Sequence, residues 1–324
     1  MLNYALRRLL ITIPILILST FLTFGFVSSS GDPLADLRQQ PNITQEQIQR
    51  VREMRGLDDP FPVQYLRWVE QIPQGGFGEY LISPRPIWPD LQRVMGNTLQ
   101  LVVAAELIAF AIAVTLGAVS AKKQYSVFDY STTTLSFLGF SMPSFWFALL
   151  LQVGVVIIYR WTGYRIFPIA NLSSPNPGTG MAFWLDRAHH LVLPIASLAI
   201  FSIASYSRYM RASMLEVMSS DYIRTARAKG LSERKITTRH MMRNALIPTV
   251  TVAALSFGTL ISGAIVIETV FGLDGMGRYF INVIGRRDPY PIMAWLVIVG
   301  FFLMLANLLA DLLYGYLDPR IRYE

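Results

Sequence analysis

Four side chains inside apolar stretches, and one basic run between two of them, carry whatever chemistry this sequence can do. Glu106, Gln152, Glu268 and Asn307 sit among apolar residues, with Gln100 and Asp311 beside them. A polar group at such a depth is costly, so it faces a water-filled path or a partner on another helix. Path lining would make these residues a translocation route or a gate. Interhelical hydrogen bonds would instead contribute about 0.6–2 kcal/mol each. Asn307 and Asp311 stand four apart on one helix face, and interhelical partners suffice for them. Glu106 fits both readings.

The basic run is Asp221-Tyr222-Ile223-Arg224-Thr225-Ala226-Arg227-Ala228-Lys229-Gly230, followed by Leu231. Its chemistry is charge pairing and docking. Ser219 or Ser220 can cap a helix there, with Asp221 at the positive end and Lys229 near the negative end. Gly230 is placed to stop it in a left-handed conformation. Two turns are too short to be stable alone, so the helix needs something to pack on. Arg224, Arg227 and Lys229 give a cationic face, and Tyr222, Ala226 and Leu231 offer apolar contact.

Catalytic patterns are missing. The sequence has no phosphate-binding GxxxxGK[ST], no HExxH, no GxSxG and no cysteine. His189 and His190 are adjacent, so on a helix they point about 100° apart and grip one ion poorly. The expectation is no catalytic residue and no metal site. Energy for any driven work would enter through a partner.

The elements that must hold these residues are membrane helices. Only 15% of the 324 residues are charged, against about 25% in soluble domains, and the mean hydropathy is +0.41. The net charge of +7 could suggest nucleic acid, but the basic residues fall in short loops between apolar runs, which is a topology signal. Six segments reach the roughly 20 apolar residues that a crossing needs: 9–27, 98–121, 135–159, 191–214, 245–271 and 292–317. Prolines 143 and 248 are tolerable in such helices. The apolar run after Arg7-Arg8 is longer than a signal-peptide core, which predicts a retained first span. All four lysines fall in loops two and four, and 208–243 holds nine basic residues against three acidic ones. Loop one holds seven arginines against nine carboxylates. Both termini and loops two and four are therefore expected in the cytoplasm.

The expected fold is an all-α integral membrane protein of six transmembrane helices, with a structured outer loop and a short cytoplasmic helix. Residues 1–30 form the N-terminal segment and first span, 31–96 the outer loop, and 97–324 a five-helix core containing the loop 208–244. In the outer loop, Thr44 and Gln47 form a capping box with Gly56 as a stop. Asp59 is the expected cap of a helix over 60–71 that presents Phe61, Tyr65 and Trp68. That face could meet an external protein or pack on the span ends. Gly75-Gly76-Phe77-Gly78 reads as a turn. Ala254, Gly258 and Ser262 form a small-residue stripe that could pack within the chain or against a second one.

The run 221–231, with His240-Met-Met-Arg-Asn-Ala-Leu-Ile-Pro248 behind it, resembles the cytoplasmic signature loop of bacterial ABC-importer permeases, in the peptide/nickel (oligopeptide and dipeptide) branch. Further matches run along the chain: Gly31-Asp-Pro33, Gly56-Leu-Asp58, Asn97-Thr-Leu99, Pro143-Ser-Phe-Trp146, Glu268-Thr-Val-Phe271, Gly275-Met-Gly-Arg278, Asn307-Leu-Leu-Ala-Asp311 and Asp318-Pro-Arg320. Asp274 departs from the proline usual before Gly275. The resemblance implies that 221–231 is a coupling helix seated on an ATP-binding subunit. It also implies a second homologous permease, two ATPase subunits that hold the ATP and Mg, and an extracytoplasmic substrate-binding protein. The cargo would be peptide, with nickel, glutathione or oligosaccharide as alternatives, and the location a bacterial inner membrane. A secondary transporter would need inverted repeats and paired broken spans, which the sequence does not show.

Overall fold

The computed structural model describes residues 2–39, 43–74, 76–261 and 264–317. Its helices, in chain order, are α1 (Leu2–Ser29), α2 (Ala35–Arg38), α3 (Gln45–Met54), α4 (Phe61–Gln71), α5 (Trp88–Lys122), α6 (Val127–Ser141) and α7 (Ser144–Thr162). They continue with α8 (Met181–Met218), α9 (Asp221–Ala228), α10 (Glu233–Lys235), α11 (Met242–Ile261), α12 (Ile265–Val270), α13 (Met276–Gly285) and α14 (Pro289–Leu317). No strand occurs among the described residues; a single bridge joins Glu79 and Pro86.

Among the described residues, four helices are long and apolar enough to cross a bilayer: Trp88–Lys122, Ser144–Thr162, Met181–Met218 and Pro289–Leu309, with a shorter apolar stretch at Ile13–Ser29 of α1. At 1.5 Å per residue, the 38-residue α8 runs about 57 Å. It therefore outreaches a hydrocarbon core of about 30 Å and projects a polar end from it.

Two expected spans are interrupted. The single span over 135–159 is instead two helices, because Met142 precedes Pro143 and is forced out of the helical region. Met142 sits at φ −87, ψ 132, and Pro143 caps α7. The fifth span, 245–271, is likewise divided: α11 ends at Ile261 and α12 starts at Ile265, after Ala264 at ψ 56. Ser262, the last member of the small-residue stripe, lies outside the described residues, as do Gly75 and the Asp318-Pro-Arg320 segment.

The chain falls into two compact units. The first comprises 1–98 and 274–304. Here Thr44 and Gln47 close the capping box of α3 with bonds of 3.2 and 2.9 Å, as expected, and Gly56 at φ +61 ends the turn that follows. The expected cap at Asp59 is not made. Pro60 caps α4 and Asp59 pairs with Arg67 at 2.6 Å, since a guanidinium is a stronger partner than a neutral amide.

Tyr65 and Trp68 of α4 are buried with Phe24 of α1 and Met293 of α14. The Tyr65 hydroxyl lies 2.8 Å from Thr20 Oγ1. This aromatic face therefore packs on the chain's own spans. A larger core joins Ile87, Leu91 and Val94 to Met276, Val283 and Trp295, whose indole donates to Met276 O at 3.0 Å. Asp274 pairs with Arg93, and its carbonyl accepts from Asn97 at 2.7 Å.

The second unit comprises 99–273 and 305–324. Helices α6 and α7 run antiparallel along α8. Ser136 reaches Ser207 at 3.2 Å, Gly139 lies against Ile200 and Ala204, and further along Ala148 and Val155 share a core with Leu191, Leu193 and Leu198. One core therefore fills each half of this unit. The second gathers Ala118, Ala121, Met210, Met214, Ile236, Met241 and Ala245.

Candidate functional site

The basic helix α9 forms over Asp221–Ala228. Ser220 is its cap residue in extended conformation, but the Ser220 hydroxyl donates to Val217 O at 2.6 Å and so closes the end of α8 instead. The C-terminus is a Schellman motif: Leu231 N donates to Ala226 O at 3.4 Å and Gly230 N to Arg227 O at 2.9 Å. Gly230 adopts φ +73, the left-handed conformation that a side chain disfavours.

What α9 packs on is its own chain. Ile223 and Ala226, three apart and so on one face, are buried in the core with Met210, Met214 and Ile236. The apolar contact expected of Ala226 is made inside the chain. Ile223, which the sequence does not single out, is the second anchor, and its i, i+3 relation to Ala226 puts it on the same face. Leu231 packs against the same core. The other residues of the helix face outward: Asp221, Tyr222, Arg224, Thr225, Arg227, Ala228 and Lys229 are exposed.

The exposed charges pair locally. Arg224 lies 3.5 Å from Asp221, and Arg227 donates to Glu233 at 2.7 Å. Exposed pairs of this kind are worth about 0–1 kcal/mol, so an incoming carboxylate exchanges with them at little cost. The Tyr222 hydroxyl accepts from Asn244 at 2.8 Å, which ties α9 to α11. Between α10 and α11 the chain forms a π-helical turn, Ile236–Met241, with Ile236 and Met241 buried. No sequence signal marked that turn.

The same unit holds an ion pair whose carboxylate is buried. Arg211 of α8 reaches Asp129 of α6 with both Nε at 2.6 Å and Nη2 at 2.7 Å. Ser120 of α5 donates to the same carboxylate, as does Tyr125 N at 3.0 Å. The guanidinium first, and then these donors against the cost of burial, hold the Asp129 carboxyl well below the usual carboxylate range. Three helices, α5, α6 and α8, are thus fastened together.

The four path residues stand on four different helices, α5, α7, α12 and α14. Glu106 of α5 is buried and accepts from Ser202 at 2.7 Å and Tyr206 at 2.6 Å, both on α8. Gln152 of α7 donates to Ile169 O at 2.7 Å and Val270 O at 3.2 Å, pinning the loop before α8 to the end of α12. Glu268 is buried in α12 and Asn307 is half-buried in α14. For Glu106 and Gln152 the geometry is that of bonds between elements. Glu106→Leu is expected to deprive Ser202 and Tyr206 of their shared carboxylate acceptor, at a cost of about 1–3 kcal/mol, while Glu106→Gln keeps a partner for them. Thermal unfolding of the detergent-solubilised variants checks this: leucine should lower the midpoint clearly more than glutamine.

Comparison with known proteins agrees with this architecture. Residues 113–323 match the family model of the binding-protein-dependent transport system inner membrane component, and residues 1–81 match the model of the N-terminal segment of such components. The oligopeptide transport system permease protein AppB of Bacillus subtilis is 38% identical over 322 residues, covering 99% of each chain. The dipeptide transport system permease protein DppB of Escherichia coli K12 is 37% identical over 338 residues, covering all of both. In fold, the chain is similar to a subunit of the MetNI methionine ABC transporter in an inward-facing form, with TM-score 0.53 and 16% identity over 70% of this chain and 96% of that one. With a family model covering well over half of its residues and full-length relatives above one-third identity, this chain belongs to the binding-protein-dependent transport system inner membrane components.

Proposed function

We propose that the chain is a permease subunit of an ATP-driven importer for peptides, working beside a second homologous permease, two ATP-binding subunits and an extracytoplasmic substrate-binding protein. The cargo follows from relatives that are peptide permeases along their whole length. ATP and Mg belong to the partner subunits. Six crossings, with both termini and α9 on the cytoplasmic side, fit the distribution of lysine and arginine.

The observation that carries the coupling role is the division of α9 into two faces. Ile223 and Ala226 are sealed into the core that also holds Met210, Met214 and Ala245, while Asp221, Tyr222, Arg224, Thr225, Arg227, Ala228 and Lys229 remain outside. A short rod with its inner face welded to three helices moves with them. Its outer face is then the natural seat for an ATPase subunit, and closure of the ATPase pair biases the helices between two states.

Two variants test it in the reconstituted transporter. Arg227→Glu replaces the pair with Glu233 by a repulsion on the outer face, and Gly230→Leu forces a side chain into the left-handed position that ends the rod. Membrane insertion should be normal in both. ATP hydrolysis stimulated by the binding protein should fall about tenfold, within the 5–150-fold range of ordinary coupling energies. Full stimulation and uptake in both variants would remove α9 from the coupling path.

A further inference from the structure

Ser28, at the end of α1, and Arg52, on α3, each bury a polar atom that has no hydrogen-bond partner among the described residues: the serine Oγ and the arginine Nε. Such atoms are uncommon, because a buried donor without a partner costs about 1–3 kcal/mol. Both residues line one cavity of about 160 Å³, together with Gly31, Asp32, Gln64 and Arg287. That volume far exceeds the roughly 10–15 Å³ that one water requires.

The charges around this cavity do not cancel. Asp32 is engaged by Arg38 at 2.9 Å and by Arg52 Nη2 at 3.8 Å. Arg52 Nη1 turns to Asp58 at 3.3 Å. The two cations Arg38 and Arg52 balance the two anions Asp32 and Asp58, and Arg287 then adds one positive charge to the wall.

The backbone is shaped to put Arg287 there. Arg287 adopts φ +54, a left-handed conformation for a residue with a side chain, at a cost of roughly 1–2 kcal/mol. Gly31 sits at φ +151, and a Cβ on it would lie 2.8 Å from Arg287 Nη1. A side chain at position 31 would displace the guanidinium. Local strain that serves to place one charged group points to a use for that group.

We propose that this cavity binds a small oxyanion of the phosphate class, held by the Arg287 guanidinium, the Arg52 Nε–H and the Ser28 hydroxyl. Charge-assisted bonds from two guanidinium groups and a hydroxyl suit tetrahedral phosphate oxygens. The phosphate reaches the site either as the free ion or as the headgroup of an anionic phospholipid, since Ser28 lies where the apolar run Ile13–Ser29 ends.

The test uses the purified full chain. Thermal unfolding is followed in sodium phosphate against sodium chloride of equal ionic strength, and then in nanodiscs of phosphatidylglycerol against phosphatidylcholine. Wild type, Arg287→Gln and Ser28→Ala are compared. Removing an unpartnered hydroxyl leaves the ligand-free protein at least as stable, so Ser28→Ala separates lost binding from lost folding. A rise in midpoint with phosphate, cut by at least half in both variants, supports the free ion as ligand. A rise with phosphatidylglycerol alone, lost in Arg287→Gln, supports the headgroup. No rise with either, or the same rise in all three proteins, overturns the proposal.

Discussion

Arg211→Ala is expected to cost the folded chain about 3 kcal/mol, at the lower end of the range for breaking a buried ion pair, because Arg211 keeps some contact with solvent while Asp129 has almost none. The loss comes from the partner left behind. Asp129 would retain only the Ser120 hydroxyl and Tyr125 N–H, too little for a desolvated carboxylate. Asp129→Asn should be milder, since it removes the charge together with its need for a counter-ion. The pair also sets a pH dependence. The Asp129 carboxyl is held below its ordinary value in the folded chain, so the unfolded chain takes up its proton first as pH falls. The stabilisation is therefore complete above the ordinary carboxylate value of about 3.9 and is lost as pH drops below it. Thermal midpoints of wild type and Asp129→Asn measured from pH 6 to pH 3 check this. The wild-type midpoint should fall more steeply at the acid end, and parallel curves would count against the pair.

Gly117→Leu is expected to prevent assembly of the second unit, and Gly117→Ala to weaken it by about 1–3 kcal/mol. A Cβ at this position of α5 would meet Ser207 O at 2.6 Å, Met210 Cβ at 2.7 Å and Arg211 N at 3.0 Å. Two of these are backbone atoms of α8, so the helices themselves must part. The better helix propensity of alanine, about 1 kcal/mol over glycine, offsets only part of that. Separation at Gly117 would also pull on the neighbouring Arg211 and Asp129, so the two substitutions should be non-additive in a double mutant. Yield of monodisperse protein and thermal midpoint read the effect. A Gly117→Leu protein with wild-type stability would mean that α5 and α8 do not touch there.

The outcome at α9 shows what could be read from residues alone. Its start after Ser220, its stop at Gly230 and its exposed charges follow from charge placement and glycine geometry, which act over a few residues, although Ser220 makes no side-chain cap bond. The missing part was which apolar residues turn inward. Ile223 and Ala226 were chosen by Met210, Met214 and Ile236, none of which is local to the helix. The same holds for Tyr65 and Trp68, whose amphipathic face was plain but whose cover, Phe24 and Met293, was not.

The sequence by itself determined the class of the protein, its long apolar helices, the capping box of α3 and the family, because apolar periodicity, caps and ordered motifs are properties of neighbouring residues. The tertiary structure alone decided that Glu106 bonds to α8 and that Asp129 belongs to Arg211. These partners stand up to about a hundred residues apart. Nothing local encodes such a pairing: it exists only once packed helices exclude water and leave each buried polar group only the neighbours that packing supplies.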